Sequence, residues 1–65
     1  MTIAEAAAHI LREAGSPLHV REIHSRIKTQ GLFEFKALDP VAVVASALRK
    51  SSQFEKTSAG TFQLK

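Results

Sequence analysis

The chain has 65 residues, with nine Lys and Arg against six Asp and Glu, a net charge of +3 and no cysteine. This length allows one small domain, and the lack of cysteine excludes the disulfides and thiolate–metal sites that often stabilise domains of this size. The positive charge favours a polyanionic partner, while the absence of an apolar run of roughly 20 residues excludes an ordinary membrane-spanning helix.

The first predicted helix begins at a capping box. Thr2 precedes Glu5 by three residues, a spacing at which the side chain and backbone of each residue can satisfy the other's free hydrogen-bonding groups. Gly15 suits the left-handed position that ends such a helix. Between them, apolar residues recur at spacings of three and four and predict one buried face: Ile3, Ala6, Ala7, Ile10, Leu11 and Ala14.

A short extended segment and a second helix follow. Leu18–Val20 is too short for an independent strand, but it can add an edge to a hairpin formed elsewhere. In the second helix Val20, Ile23 and Ile27 have the spacing of a buried face. Glu22 follows His19 by three residues, which places the two where a second capping box would stand, with histidine as an unusual cap.

The segment from Leu32 to Leu38 has no clean helical or strand period, and we interpret it as a packed loop. It contains Phe33 and Phe35, one of which is expected to fill the gap between the second and third helices. If Phe35 is exposed together with Leu38 and Val43, the three would form an apolar patch of the kind that marks a protein interface.

The third predicted helix begins at Asp39 and Pro40, because an aspartate cap followed by proline at the first helical position is a favourable start. Its predicted buried face consists of Val41, Val44, Ala47 and Leu48. The residues expected to face outwards, as candidates for contact with a ligand, are Ala42, Val43, Ser46, Arg49 and Lys50.

A hairpin closes the chain. Its predicted strands, Phe54–Lys56 and Thr61–Leu64, flank the turn Thr57–Gly60, where glycine supplies a positive backbone angle. With Leu18–Val20 as a third strand, the order is helix, strand, helix, helix, strand, wing, strand. This order predicts an α+β winged helix-turn-helix, three helices with a small antiparallel sheet. Alternation directs three hairpin residues inwards: Phe54, Phe62 and Leu64.

Two segments carry a resemblance to a known family. Gly15–Ile23, with the sequence GSPLHVREI, and Gly60–Leu64, with the sequence GTFQL, resemble the HARE-type helix-turn-helix domain. This winged-helix family is found in bacterial restriction endonucleases and eukaryotic chromatin proteins, and related domains occur in a bacterial RNA polymerase subunit. Further matching positions are Ala6, Ala7, Ile10, Leu11, Gly31, Leu32, Asp39, Pro40, Val44, Leu48 and Phe54.

The resemblance covers nearly the whole chain and implies a DNA-binding or chromatin-targeting module beside a catalytic or regulatory domain. We expect residues 1–65 to form a single winged-helix domain, the amino-terminal module of a longer protein. The absence of a signal-peptide pattern indicates a cytoplasmic location in a bacterium or a nuclear one in a eukaryote.

The third helix offers little for reading a base sequence in double-stranded DNA. Ser46 is a promiscuous hydrogen-bonding group, and Ala42 and Val43 can contact thymine methyl groups, but no Arg or Asn fork is present. Binding is therefore expected to depend mainly on phosphate contacts. The predicted DNA-binding residues are Val43, Ser46, Arg49, Lys50, Lys56, Lys36 and Ser58.

Several cations have a plainer interpretation, which the sequence leaves open. Arg49 and Lys50 would stabilise the end of a helix through its dipole whether or not DNA binds. Lys56 could serve only to protect the edge of a sheet against aggregation. A solvated helix face is the simpler explanation for the three cations of the second helix, which are Arg21, Arg26 and Lys28.

The sequence predicts neither a metal site nor a cofactor. His19 and His24 are five residues apart, which does not place them on one helix face, and no cysteine or acidic cluster completes a ligand set. No phosphate-binding glycine loop, nucleophile elbow or acid–base carboxylate pair is present, so we expect no small-molecule substrate and no enzyme activity. Two hypotheses remain, a DNA-binding accessory module and a protein-interaction module that docks on a polymerase, a nuclease or a copy of itself.

Overall fold

Three helices and one small sheet make up the chain in the structure, a computed structural model that describes residues 1–65. The elements are α1 (Ile3–Ala14), β1 (Leu18–His19), α2 (Val20–Gln30), α3 (Pro40–Lys50), β2 (Phe54–Ser58) and β3 (Thr61–Leu64). The strands are antiparallel, in the order β1-β3-β2. The predicted winged helix-turn-helix is confirmed. None of the helices has the length and apolar character needed to cross a membrane.

The caps predicted for α1 and α3 are both formed. The Thr2 hydroxyl accepts a bond from the Glu5 N–H at 3.1 Å, and the Glu5 carboxylate accepts one from the Thr2 N–H at 2.8 Å. The backbone bond from Thr2, followed by the bond with its side chain, lowers the pKa of Glu5 below its ordinary value. At α3 the Asp39 carboxylate accepts a bond from the Ala42 N–H at 3.2 Å.

The start of α2 differs from the predicted capping box. His19 is the cap, and its Nδ1 accepts a hydrogen bond from the Arg21 N–H at 3.1 Å. Glu22 does not return to the cap, because its carboxylate accepts a 2.8 Å bond from Arg26 Nε one turn further along the helix. The prediction of a reciprocal box was therefore wrong, although histidine does begin the helix.

The core lies where the three helices meet the inner face of the sheet. Its twelve buried residues are Ala6, Ala7, Ala8, Ile10, Leu11, Val20, Ile23, Ile27, Val44, Leu48, Phe54 and Phe62. The three alanines of α1 have no bulky side chain, which lets the neighbouring helices approach closely. On α3, Val41 and Ala45 pack against this core. The sequence pattern predicted Ala47 on this face, but the rotation of α3 gives that place to Ala45.

The wing is tighter than predicted. β2 continues to Ser58, so the turn contains only Ala59–Gly60, and Thr57 is the extra residue where the strand register shifts. The predicted turn Thr57–Gly60 was therefore too long, because a bulge accommodates Thr57 within the strand. Gly60 does have the expected positive φ, at 71°. The inward placement of three hairpin residues is confirmed: Phe54 and Phe62 are buried and Leu64 packs against the core.

The loop between α2 and α3 contains two aromatic rings that are buried to a similar degree. Phe33 and Phe35 are both half-buried, with ring centroids 5.1 Å apart, and Phe35 makes an edge contact with His24 at 4.8 Å. The sequence predicted that one ring would fill the gap between α2 and α3; both rings pack against the core, and neither is fully buried. Leu38 is entirely exposed, at 107%.

Candidate nucleic-acid interface

One side of α3 is free of the core and carries the residues expected to face a ligand. Ala42, Arg49 and Lys50 are exposed, and Val43 and Ser46 are half-buried; Val43 does not pack against the core. Their spacing of three, four and seven places them on one side of the helix. The structure therefore brings these five predicted residues together on a continuous surface.

The wing adds a cation to the same side of the molecule. Lys56 lies opposite Phe62 in the β2–β3 ladder, so the two side chains share the sheet face that is turned towards the helices. Phe62 is buried, whereas Lys56 is exposed. β2 as a whole also contacts α3. Ser58 is exposed at the end of β2, next to the turn.

Lys36 lies apart from the other predicted cations. It is exposed in the loop that precedes α3, whereas Arg49 and Lys50 occupy the last turn of that helix. An 11-residue helix is about 16 Å long, so the two groups are at opposite ends of α3. Any ligand that contacts both must extend along the whole helix.

Most of the cations have no acidic partner within the fold. Of the nine Lys and Arg side chains, only Arg26 forms an ion pair with an acid. Glu5 and Asp39 are engaged in helix caps, and Glu13 and Glu55 accept bonds from glutamine side chains. Most of the acidic side chains thus have partners other than the cations of α3 and the wing, and α3 itself contains no acidic residue.

A family comparison agrees with this geometry. The model of the HARE-HTH family, whose description names ASXL and the restriction endonuclease HTH domain, matches residues 1–65. The chain belongs to the HARE-HTH family. The family is one of DNA-binding helix-turn-helix domains, which are typically non-catalytic, so the exposed side of α3 and the wing form the candidate DNA interface of this HARE-HTH domain. Searches of the curated proteins and of the solved structures found no match.

Sequence reasoning missed a contact that links α2 to the wing of this HARE-HTH domain. A Cβ atom at Gly60 would lie 2.7 Å from Nε2 of His19, so the imidazole rests directly against the turn. The Val20 N–H also donates a 2.8 Å hydrogen bond to the Gly60 carbonyl oxygen. A histidine in a position that usually carries Ser, Thr, Asp or Asn was the one signal available in the sequence.

A second surface of the HARE-HTH domain is an open cleft of about 480 Å³ between α2 and the loop that follows it. Phe33 and Phe35 line it, with Lys28 contributed by α2 and Glu34 by the loop. Of the predicted apolar patch, Phe35 lies in this cleft, Leu38 is exposed on the same loop, and Val43 is on α3.

Proposed function

We propose that this domain is an accessory module that holds an attached catalytic or regulatory domain on double-stranded DNA, mainly through contacts with phosphates. The observation that supports this most directly is the set of cations on α3 and the wing that have no acidic partner. Such cations release counterions from DNA when they bind it. The module would act where DNA is, in the cytoplasm of a bacterium or in a nucleus, and the attached domain would supply any chemistry.

Weak discrimination between base sequences follows from the side chains on the exposed side of α3. Ala42 and Val43 offer only apolar contacts, and Ser46 has a single hydroxyl that can donate to one base or accept from another. A bidentate Arg–guanine or Asn–adenine pair contributes about 1–3 kcal/mol of discrimination, and α3 has no such residue before Arg49. Phosphate contacts from the remaining cations are the same for every sequence.

The salt dependence of affinity tests this proposal. If Lys36, Arg49, Lys50 and Lys56 each neutralise one phosphate, the slope of log affinity against log salt is about −3.6. Affinity should then fall about 150-fold between roughly 50 and 200 mM salt. Fluorescence anisotropy with two short duplexes of unrelated sequence would measure both the slope and the discrimination.

Two results would contradict the proposal. An affinity that does not change with salt, or no binding at low salt, would exclude phosphate-dominated DNA binding. A difference of a hundredfold or more between the duplexes, about 2.7 kcal/mol, would instead show that base contacts are substantial.

Docking of another protein is a second candidate function, favoured by the full exposure of Leu38. Apart from the terminal Met1, Leu38 is the only large hydrophobic side chain that is exposed. The cleft between α2 and the same loop carries charges of both signs, Lys28 and Glu34. A polymerase or a nuclease could dock here, but the charges also suit a second copy of the chain, because Lys28 of each copy could face Glu34 of the other.

Self-association of this kind can be tested with a matched pair of variants. Leu38→Asp is expected to abolish a dimer that buries Leu38, and Ala37→Asp adds the same charge at the neighbouring exposed position of the loop. Sedimentation equilibrium over a range of concentrations would measure association. If the unmodified domain stays monomeric, or if both variants associate like it, Leu38 is not part of an interface between copies.

A further inference from the structure

We propose that His19 is a positioning residue that fixes the wing in the place from which Lys56 reaches the DNA backbone, an inference that rests on the proposed DNA-binding function. His19 lies at the junction of three elements, as the last residue of β1, the cap of α2 and a contact of the wing turn. Its ring therefore joins the helical part of the domain to the tip of the wing.

The helix side of the junction fixes the orientation of the imidazole. Nδ1 accepts the hydrogen bond from the Arg21 N–H, so in this arrangement Nδ1 carries no proton. The ring is therefore tied to the first turn of α2 by a directional bond. Its opposite edge, which includes Nε2, is turned towards the wing.

The wing side of the junction depends on the absence of a side chain at Gly60. A Cβ atom there would lie 2.7 Å from Nε2 and 3.3 Å from both Cδ2 and Cε1. The edge of the ring thus occupies the space that any other residue would fill. The 2.8 Å bond from the Val20 N–H to the Gly60 carbonyl oxygen holds the backbone of the turn at the same point.

Few other contacts hold the outer end of the hairpin. β1 pairs with β3 over only two residues, and an isolated hairpin is marginally stable in water. Phe54 and Phe62 anchor the wing in the core, and Lys56, opposite Phe62, is the last regularly paired residue before the bulge at Thr57. Without the imidazole, the part of the wing between the bulge and the turn would move more freely, and Lys56, which adjoins that part, would be held less firmly.

The combination of His19→Asn with Lys56→Gln tests this inference in DNA binding. Asparagine is a good helix cap, so the variant retains the start of α2 while removing the ring from the turn. His19→Asn alone is expected to reduce the magnitude of the salt slope by about 0.9. The fold-decrease in affinity between roughly 50 and 200 mM salt should then be about 3.5 times smaller than for the unmodified domain. When Lys56→Gln is already present, His19→Asn should change neither affinity nor slope further.

That dependence on Lys56 separates positioning from a general loss of stability. A His19→Asn effect of equal size with and without Lys56→Gln would overturn the inference, as would a single variant that binds like the unmodified domain. Circular dichroism at the binding temperature would establish that every variant compared is folded.

A second pair of variants tests the contact itself and needs no DNA. Gly60→Ala introduces backbone strain at a φ of 71° whatever residue stands at position 19, but it introduces the clash only when His19 is present. The fall in Tm caused by Gly60→Ala should therefore be larger with His19 than with His19→Asn. Equal falls would overturn the contact. A domain that fails to bind DNA would overturn the proposed function and the role of His19 in it, while this comparison would still report on the junction.

Discussion

Replacing Arg49, Lys50 and Lys56 together by glutamine is expected to remove most of the salt-dependent affinity for DNA. These cations lie on α3 and the wing, and none of them has an acidic partner that would compete with phosphate. Losing three phosphate contacts should change the slope from about −3.6 to about −0.9, with only Lys36 remaining. The fold-decrease in affinity caused by a fourfold rise in salt would then be about 40 times smaller. Anisotropy titrations at several salt concentrations measure this directly.

A second triple variant separates the position of the charges from their number. Arg12, Lys28 and Lys65 are also exposed but lie outside the proposed interface. Either set of three replacements removes three positive charges from a net charge of +3 and leaves zero. The control set should retain a slope near −3.6. If both triple variants lose affinity equally, net charge rather than the surface of α3 and the wing determines binding.

Replacing Ile23 by alanine is expected to have the largest effect on stability. Ile23 is fully buried on α2, in a core of only twelve residues that includes three alanines. Replacing a buried isoleucine by alanine lowers the free energy of unfolding by about 2–5 kcal/mol, because buried apolar surface is lost and a cavity remains. A domain of this length has a free energy of unfolding of roughly 3–10 kcal/mol, so Ile23→Ala should remove a large part of its stability. Urea unfolding followed by circular dichroism would measure the loss.

Val43→Ala is a suitable control for the core variant. Val43 is half-buried on α3 but does not pack against the buried residues, so its truncation should change the free energy of unfolding by about 0.5 kcal/mol or less. Similar losses for the two variants would mean that the core does not lie between the three helices and the sheet as described.

Local sequence signals predicted the beginnings of α1 and α3 best. Thr2 with Glu5, and Asp39 with Pro40, form caps whose partners are within three residues, so no knowledge of the tertiary fold was needed. The choice between Ala45 and Ala47 was different in kind. Both are small, and only the rotation of α3 against α1, α2 and β2 decides which of them packs against the core.

Features that depend on distant segments were not predictable in the same way. How far Phe33 and Phe35 are each buried depends on where their loop crosses α2. The candidate interface shows the same division. The side of α3 with Arg49 and Lys50 could be found from helical spacing, whereas the contact between His19 and Gly60 joins residues that are far apart in the chain.

The unpaired cations also affect the domain when no DNA is bound. With eight Lys and Arg side chains lacking an acidic partner and a longest dimension of 27 Å, positive charges repel one another across the free fold. Added salt weakens this repulsion, since the screening length is about 10 Å at 0.1 M, and therefore favours the free folded state. The same salt weakens the complex with DNA. The duplex thus supplies the negative charge that balances these cations. Low salt gives the highest affinity for DNA, and it is also the condition in which the free domain is least stable.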